Sequence, residues 1–194
     1  MTNEHHEDDV TTTIPGAVIT VSDRCSRGDA EDRSGPLAVT ELEKFSVEVD
    51  RVVVVPDDVE LIRAALQEAI DAGSRVIVTT GGTGITPRDV TPEASEPFIS
   101  LPLDGLAQQV RLAGLAATPL ATLSRGLIGA TARGEGATLI VNAPGSPGGV
   151  KDTIGVVGPL VGHILGQLAG RAHEKAANEE AGAGGAGAKE VGTD

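Results

Sequence analysis

Large aromatic rings are almost missing from this chain. It has no Trp and no Tyr, and its two Phe are Phe45 and Phe98, so any core must be packed from Val, Ile, Leu and Ala. Cysteine is limited to Cys25, which excludes an internal disulfide and fits a reducing, cytoplasmic setting. No apolar run approaches the roughly 20 residues of a membrane span. The first residues lack the basic start and apolar stretch of a signal peptide. Cations are also short: 15 Lys and Arg face 28 Asp and Glu, a net charge of −13. That sign disfavours non-specific nucleic-acid binding but leaves room for a small anion in a locally positive pocket. There is no repeat of 20–50 residues.

What is present describes one domain with tails. Residues 1–13 are acidic and carry His5-His6, a loose metal pair at best and otherwise part of a disordered tail. Residues 171–194 are Ala, Gly, Glu and Lys without apolar periodicity and read as a second disordered tail. Between them, 14–170 is long enough to bury a real core.

Within that domain, Ile14 to Val21 reads as a strand, followed by the polar loop Ser22–Gly28. A helix is expected from Pro36 to Lys44, then a strand from Val47 to Val55, whose β-branched run Val52–Val55 suits a strand covered on both faces. Asp57 and Glu60 have capping-box spacing ahead of a helix whose apolar face is Val59, Ile62, Leu66, Ala69 and Ile70. Arg75 to Thr79 is the third strand. Strand, helix, strand, helix, strand predicts a parallel sheet with right-handed crossovers. After Pro97 a loop leads to a helix from Asp104 to Leu115. Gly126–Thr131 and Thr138–Val141 read as a hairpin, so one strand is antiparallel. Ser146 and Pro147 mark an N-cap and first helical position, and the helix runs to Leu168 with a kink near Gly158-Pro159.

The chemistry concentrates after the third strand, in Gly81-Gly82-Thr83-Gly84 and, five residues on, Asp89. Glycine reaches backbone angles that let successive N–H groups point at one anion. A carboxylate beside a phosphate suggests a divalent cation between them. The stretch is neither a P-loop, lacking its Gly-Lys-Ser/Thr ending, nor a G-x-G-x-x-G fingerprint. Three polar turns follow apolar strands: Ser22–Gly28, Thr80–Asp89 and Asn142–Ser146. Parallel neighbours would gather them at one sheet edge, where α/β proteins bind ligands.

Taken singly, these residues have plainer readings. Asp89 also suits an Asx turn before Thr91-Pro92, and Asp57 a helix cap. Ser22 and Asp23 have no His nearby for a nucleophilic triad. His163 suits a helix surface, Cys25 an incidental loop thiol, and Arg125 either an anion or an acidic partner.

Thr79-Thr-Gly-Gly-Thr-Gly-Ile-Thr-Pro-Arg-Asp-Val-Thr-Pro-Glu-Ala94 closely resembles the signature of the MogA/MoaB family of molybdopterin-binding proteins, related to the G domain of gephyrin. Val21-Ser-Asp-Arg24 with Asp32-Arg-Ser-Gly35, Val55-Pro-Asp-Asp58, Ser124-Arg-Gly126 and Asn142-Ala-Pro-Gly-Ser-Pro147 match in the family's order, so the likeness covers about 14–170. The resemblance implies a three-layer α/β/α sandwich with a mainly parallel sheet and one antiparallel edge strand. It also implies a homotrimer or hexamer. The activity it implies is ATP- and Mg²⁺-dependent adenylylation of molybdopterin with release of pyrophosphate. A molybdenum-insertion protein is an expected partner. Asp57 and Asp89 would be catalytic, with Asp89 at the metal. Ser22, Asp23, Gly81, Gly82, Thr83, Gly84, Pro144, Gly145 and Ser146 would hold substrate. A binding-only scaffold of MoaB type stays open. Two departures stand out: Gly148 occupies a position where the family often has Lys, with Lys151 one turn on, and Ala143 stands where Leu is common.

Overall fold

The computed structural model describes residues 13–171. The expected tails, with His5, His6 and His173, lie outside the described residues apart from Thr13 and Arg171.

Six strands form one sheet in the order β2-β1-β3-β6-β5-β4. They are β1 (Ile14–Val21), β2 (Val47–Val55), β3 (Val76–Thr80), β4 (Leu101–Pro102), β5 (Ile128–Ala130) and β6 (Leu139–Ala143). Pairs β1–β2, β1–β3 and β3–β6 are parallel, while β5 runs antiparallel to both neighbours. The short β4 outside β5 is beyond what the sequence pattern showed, since two residues carry no periodicity.

Alternation in the central strands sorts the core into two layers. Val18, Val76, Val78, Leu139 and Val141 point to one face. That face is covered by α2 (Ser34–Glu43), α5 (Asp104–Leu115), α6 (Pro147–Val157) and α7 (Val161–Leu168). Ala17, Ile19, Val21, Ile77 and Ile140 point to the other, under α3 (Val59–Asp71) and α4 (Thr91–Ser95). This is the expected three-layer sandwich. A 3₁₀ turn at Gly158–Leu160 separates α6 from α7 where the Gly-Pro pair suggested a kink. Phe45 fills the space beside Gly158, where a Cβ would meet the ring at 2.3 Å.

Three local expectations are corrected. The run Val52–Val55 is not covered on both faces: β2 is an edge strand, burial alternates along it, and Val52 and Val54 are 47% and 40% exposed. The cap of α3 is Asp58, not Asp57; its carboxylate accepts from the N–H groups of Glu60 and Leu61. The polar loop after β1 contains a helical turn, α1 (Asp23–Ser26), capped by the Ser22 hydroxyl accepting from Cys25 N–H.

The register sets the site. Val21 lies opposite Val55, Thr20 opposite Thr80, and Thr80 opposite Ala143. Four parallel strands therefore end level with one another. The chain leaves β1 toward β2 on one side and reaches β3 on the other, so a crevice opens between β1 and β3 at their carboxyl ends.

Candidate functional site

Gly81 threads this crevice. Its φ is +101°, and a Cβ there would lie 2.3 Å from the Val21 carbonyl oxygen, so only glycine passes between β1 and the turn after β6. Its N–H donates to Ala143 O at 3.0 Å. Gly82 turns the chain at φ +62°, and a Cβ would collide with the Thr91 hydroxyl, which donates to Gly81 O at 2.8 Å. Thr91, fully buried at the start of α4, thus fixes the loop from beneath.

Arg125 fixes the loop from the far side. Its guanidinium donates to Gly84 O and Asp89 O, both at 2.7 Å, and pairs with Glu93. Its own N–H donates to Thr83 O at 2.8 Å. Of the two roles open to it in the sequence, Arg125 takes the acidic partner: it is committed to the loop and to Glu93. The Glu93 carboxyl is held below its usual range by the Arg125 hydrogen bond, and Arg125 is raised in turn. With the loop so fixed, the N–H groups of Gly82 and Thr83 have no protein acceptor among the described residues.

Two carboxylates flank this loop. Asp57, freed from capping by Asp58, accepts from Asp23 N–H at 2.8 Å, while Asp23 accepts from Asp57 N–H at 3.2 Å. Its Oδ1 stands 3.2 Å from where a Gly82 Cβ would be. Burial pushes the Asp57 carboxyl above its usual value; the Asp23 N–H and Arg88 oppose this, and the charges of Asp23 and Asp89 add to it. Asp89 does not form the Asx turn the sequence allowed: Thr91 N–H donates to Gly82 O, and the Asp89 carboxylate instead reaches back to accept from Thr86 N–H at 2.8 Å. Burial pushes its carboxyl up, but hydrogen bonds from Thr86 and Gly84 and the Arg125 charge outweigh it, so the net shift is downward. Arg88 donates to both Asp23 oxygens, at 3.0 and 2.8 Å. Burial raises the Asp23 carboxyl too, but Arg88 and the Asp57 N–H carry it below its usual value.

Two cavities open here. One, about 500 Å³, is lined by Gly81, Gly82, Thr83, Gly84 and Asp89, by Pro144, Gly145 and Ser146, and by a wall from α5, α6 and the turn after α5. The other, about 310 Å³, is lined by Ser22, Cys25, Arg24, Arg33, Ser34 and Gly145. Gly145 borders both, and Ser34 donates to its carbonyl at 2.9 Å. Asp23 and Asp57 line neither; they sit beside the glycine loop where β1 and β2 end. Ser146 caps α6 as expected, accepting from Gly149 N–H at 3.1 Å. His163 is an exposed residue of α7. Lys151 is exposed and lines neither cavity, so it does not take the place of a cation at Gly148. Sequence reasoning passed over Arg88, which adjoins Asp89, and Arg111 and Asp152, which line the larger cavity from α5 and α6.

A divalent cation fits these residues only in company. Among the described residues no group of three His, Cys, Asp or Glu can hold a metal. Mg²⁺, however, is commonly held by one or two carboxylates plus substrate phosphates. Asp57 and Asp89 on either side of the loop, with an ionised pair disfavoured at Asp57, suit that arrangement.

The fold and site define an α/β protein whose level strand ends carry a glycine loop with uncommitted N–H groups, two neighbouring carboxylates and, among the described residues, no nucleophilic triad. The family described as "Probable molybdopterin binding domain" matches residues 17–163. The chain belongs to this MogA/MoaB family of molybdenum cofactor biosynthesis. A molybdopterin adenylyltransferase of Pyrococcus furiosus is 38% identical over 163 residues, covering 84% of this chain and 95% of its own. The tungsten cofactor synthesizing protein MoaB of the same organism superposes with a TM-score of 0.76 at 36% identity, covering 81% of this chain and 98% of its own. A molybdenum cofactor biosynthesis bifunctional protein of Synechococcus elongatus is 40% identical over 156 residues, 80% of this chain. The chain spans 48% of the length of that relative.

Proposed function

We propose that this protein transfers the adenylyl group of ATP to molybdopterin. An oxygen of the pterin's terminal phosphate forms a bond to the α-phosphorus as the α–β anhydride bond breaks, and the electron pair leaves with pyrophosphate. Such transfers need positioning and charge neutralisation more than a protein nucleophile. The observation that carries this reading is the placement of Asp57 and Asp89 on either side of a glycine loop with uncommitted N–H groups. Gly82 and Thr83 donate to phosphate oxygens; Pro144, Gly145 and Ser146 form the opposite wall; Ser22 and Asp23 bound the second substrate's side. Asp57 and Asp89 would hold Mg²⁺, which supplies charge neutralisation on the reacting phosphates. The adenylyltransferase named among the relatives supports the same reading.

The test is to supply molybdopterin, ATP and Mg²⁺ and to follow adenylylated pterin and pyrophosphate together. Pterin binding without pyrophosphate release would replace catalysis with the scaffold role. A homotrimer or hexamer, a cytoplasmic location and a molybdenum-insertion protein as the next partner belong to the same proposal; sedimentation and co-purification test the assembly.

A further inference from the structure

The larger cavity has an unusual charge balance. Its titratable lining residues are Asp89, Arg111 and Asp152, so two carboxylates face a single cation. The nearby cations are spent elsewhere: Arg125 on the glycine loop and Glu93, Arg88 on Asp23, while Lys151 is exposed and does not line the cavity. Arg111 alone is half-buried in the wall with its guanidinium uncommitted. Its one hydrogen bond is a 3.5 Å contact to Gly126 O, and no carboxylate among the described residues pairs with it. None of its side-chain nitrogens is both buried and unpartnered, so the guanidinium keeps access to the cavity it lines and is free to pair with an anion there.

We propose that Arg111 is the phosphate-binding cation of this cavity, closing a cradle whose opposite side is the N–H groups of Gly82 and Thr83. The inference rests on the reading of the cavity as the site of a phosphate-bearing substrate, and it names the residue that holds that phosphate from α5. Arginine suits the task because its planar fork can donate two parallel hydrogen bonds to one phosphate. Gly148, at the start of α6, borders the same cavity, and a Cβ there meets nothing within 4 Å. A cation can therefore be moved across the cavity from α5 to α6.

The test is calorimetric titration of the full chain with pyrophosphate and with ATP, alongside KM and kcat for adenylyl transfer. Arg111→Met keeps the apolar stem and is expected to weaken both affinities 10- to 100-fold and to raise KM more than it lowers kcat, with a smaller dependence of binding on salt. Arg111→Lys should keep most of the affinity. Arg111→Met combined with Gly148→Lys should regain at least half of the lost binding free energy. Unchanged pyrophosphate and ATP affinity in a folded Arg111→Met variant overturns the proposal, as does an equal loss in Arg111→Lys and no recovery with Gly148→Lys. A wild-type chain that binds pyrophosphate through Arg111 but turns over no substrate overturns adenylylation and leaves this assignment standing.

Discussion

Replacing Gly81 and Gly84 separately by alanine should split fold from function within one four-residue loop. At Gly81 the backbone lies at φ +101°, and the new Cβ would sit 2.3 Å from the Val21 carbonyl oxygen, a backbone atom of a central strand that cannot swing aside. A non-glycine residue in such a conformation costs about 1–3 kcal/mol. Prising β1 from β3 to relieve the overlap costs about 1–3 kcal/mol more. The sum, roughly 2–6 kcal/mol, is a large share of the ~5–15 kcal/mol that holds a domain together. At ~2–4 °C per kcal/mol for a chain of this size, Tm should fall by roughly 4–24 °C.

Gly84 is different. Its φ is not positive, and its added Cβ meets the Asp89 carboxylate at 2.9 Å, a side chain that can rotate. Weakening the Thr86 N–H bond to Asp89 costs about 0.5–1.5 kcal/mol. The stiffer unfolded chain returns about 0.4–1 kcal/mol, so stability should move by ~1 kcal/mol or less. Displacing Asp89 should nonetheless remove most adenylyl transfer. Urea denaturation followed by circular dichroism, paired with the pyrophosphate-release assay, measures both. A Gly81→Ala variant within ~1 kcal/mol of wild type, or a Gly84→Ala variant that unfolds as readily as Gly81→Ala, would refute the crevice geometry.

The two site aspartates should respond to neutralisation with opposite signs. The folded-state value of Asp57 is raised above its ordinary 3.8, so its charge costs stability above that folded value and nothing below 3.8. Asp57→Asn should therefore raise Tm at pH 7, with the gain vanishing in acid, while turnover is lost; Tm against pH for both proteins checks it. Asp89 is lowered below 3.8, so its ionised form stabilises the fold at neutral pH and that contribution fades as pH falls through the lowered value. Asp89→Asn should lower Tm slightly at pH 7, keep much of the pterin binding measured by calorimetric titration, and lose turnover; full turnover would remove Asp89 from the metal site. Arg125→Met leaves Gly84 O, Asp89 O and Glu93 without their donor. Hydrogen exchange at residues 81–89 should accelerate well beyond that of the central strands, and equal protection would refute the clamp.

What the sequence determined by itself was whatever is encoded within a few residues. The boundaries of β1, β2 and α5, the Ser146-Pro147 start of α6, the antiparallel β5 and the glycine loop with its aspartate follow from apolar period, capping and turn chemistry, which act over one turn or one strand. The resemblance across 14–170 carried this to the family and the three-layer sandwich. Tertiary structure decided the rest, because those choices depend on contacts between distant segments. Nothing local distinguishes Asp57 from Asp58; one caps α3, and the other is turned toward Asp23, 34 positions away, by the ends of β1 and β2 lying level. Nothing local tells the valines of β2 that they lie at an edge, since strand order is set by packing of the whole sheet. Arg125 becomes a clamp, Arg88 a partner of Asp23 and Arg111 the lone cation of a cavity only once β1, β3 and β6 bring their turns to one edge. A charge's role is fixed by which opposite charges the fold places within reach.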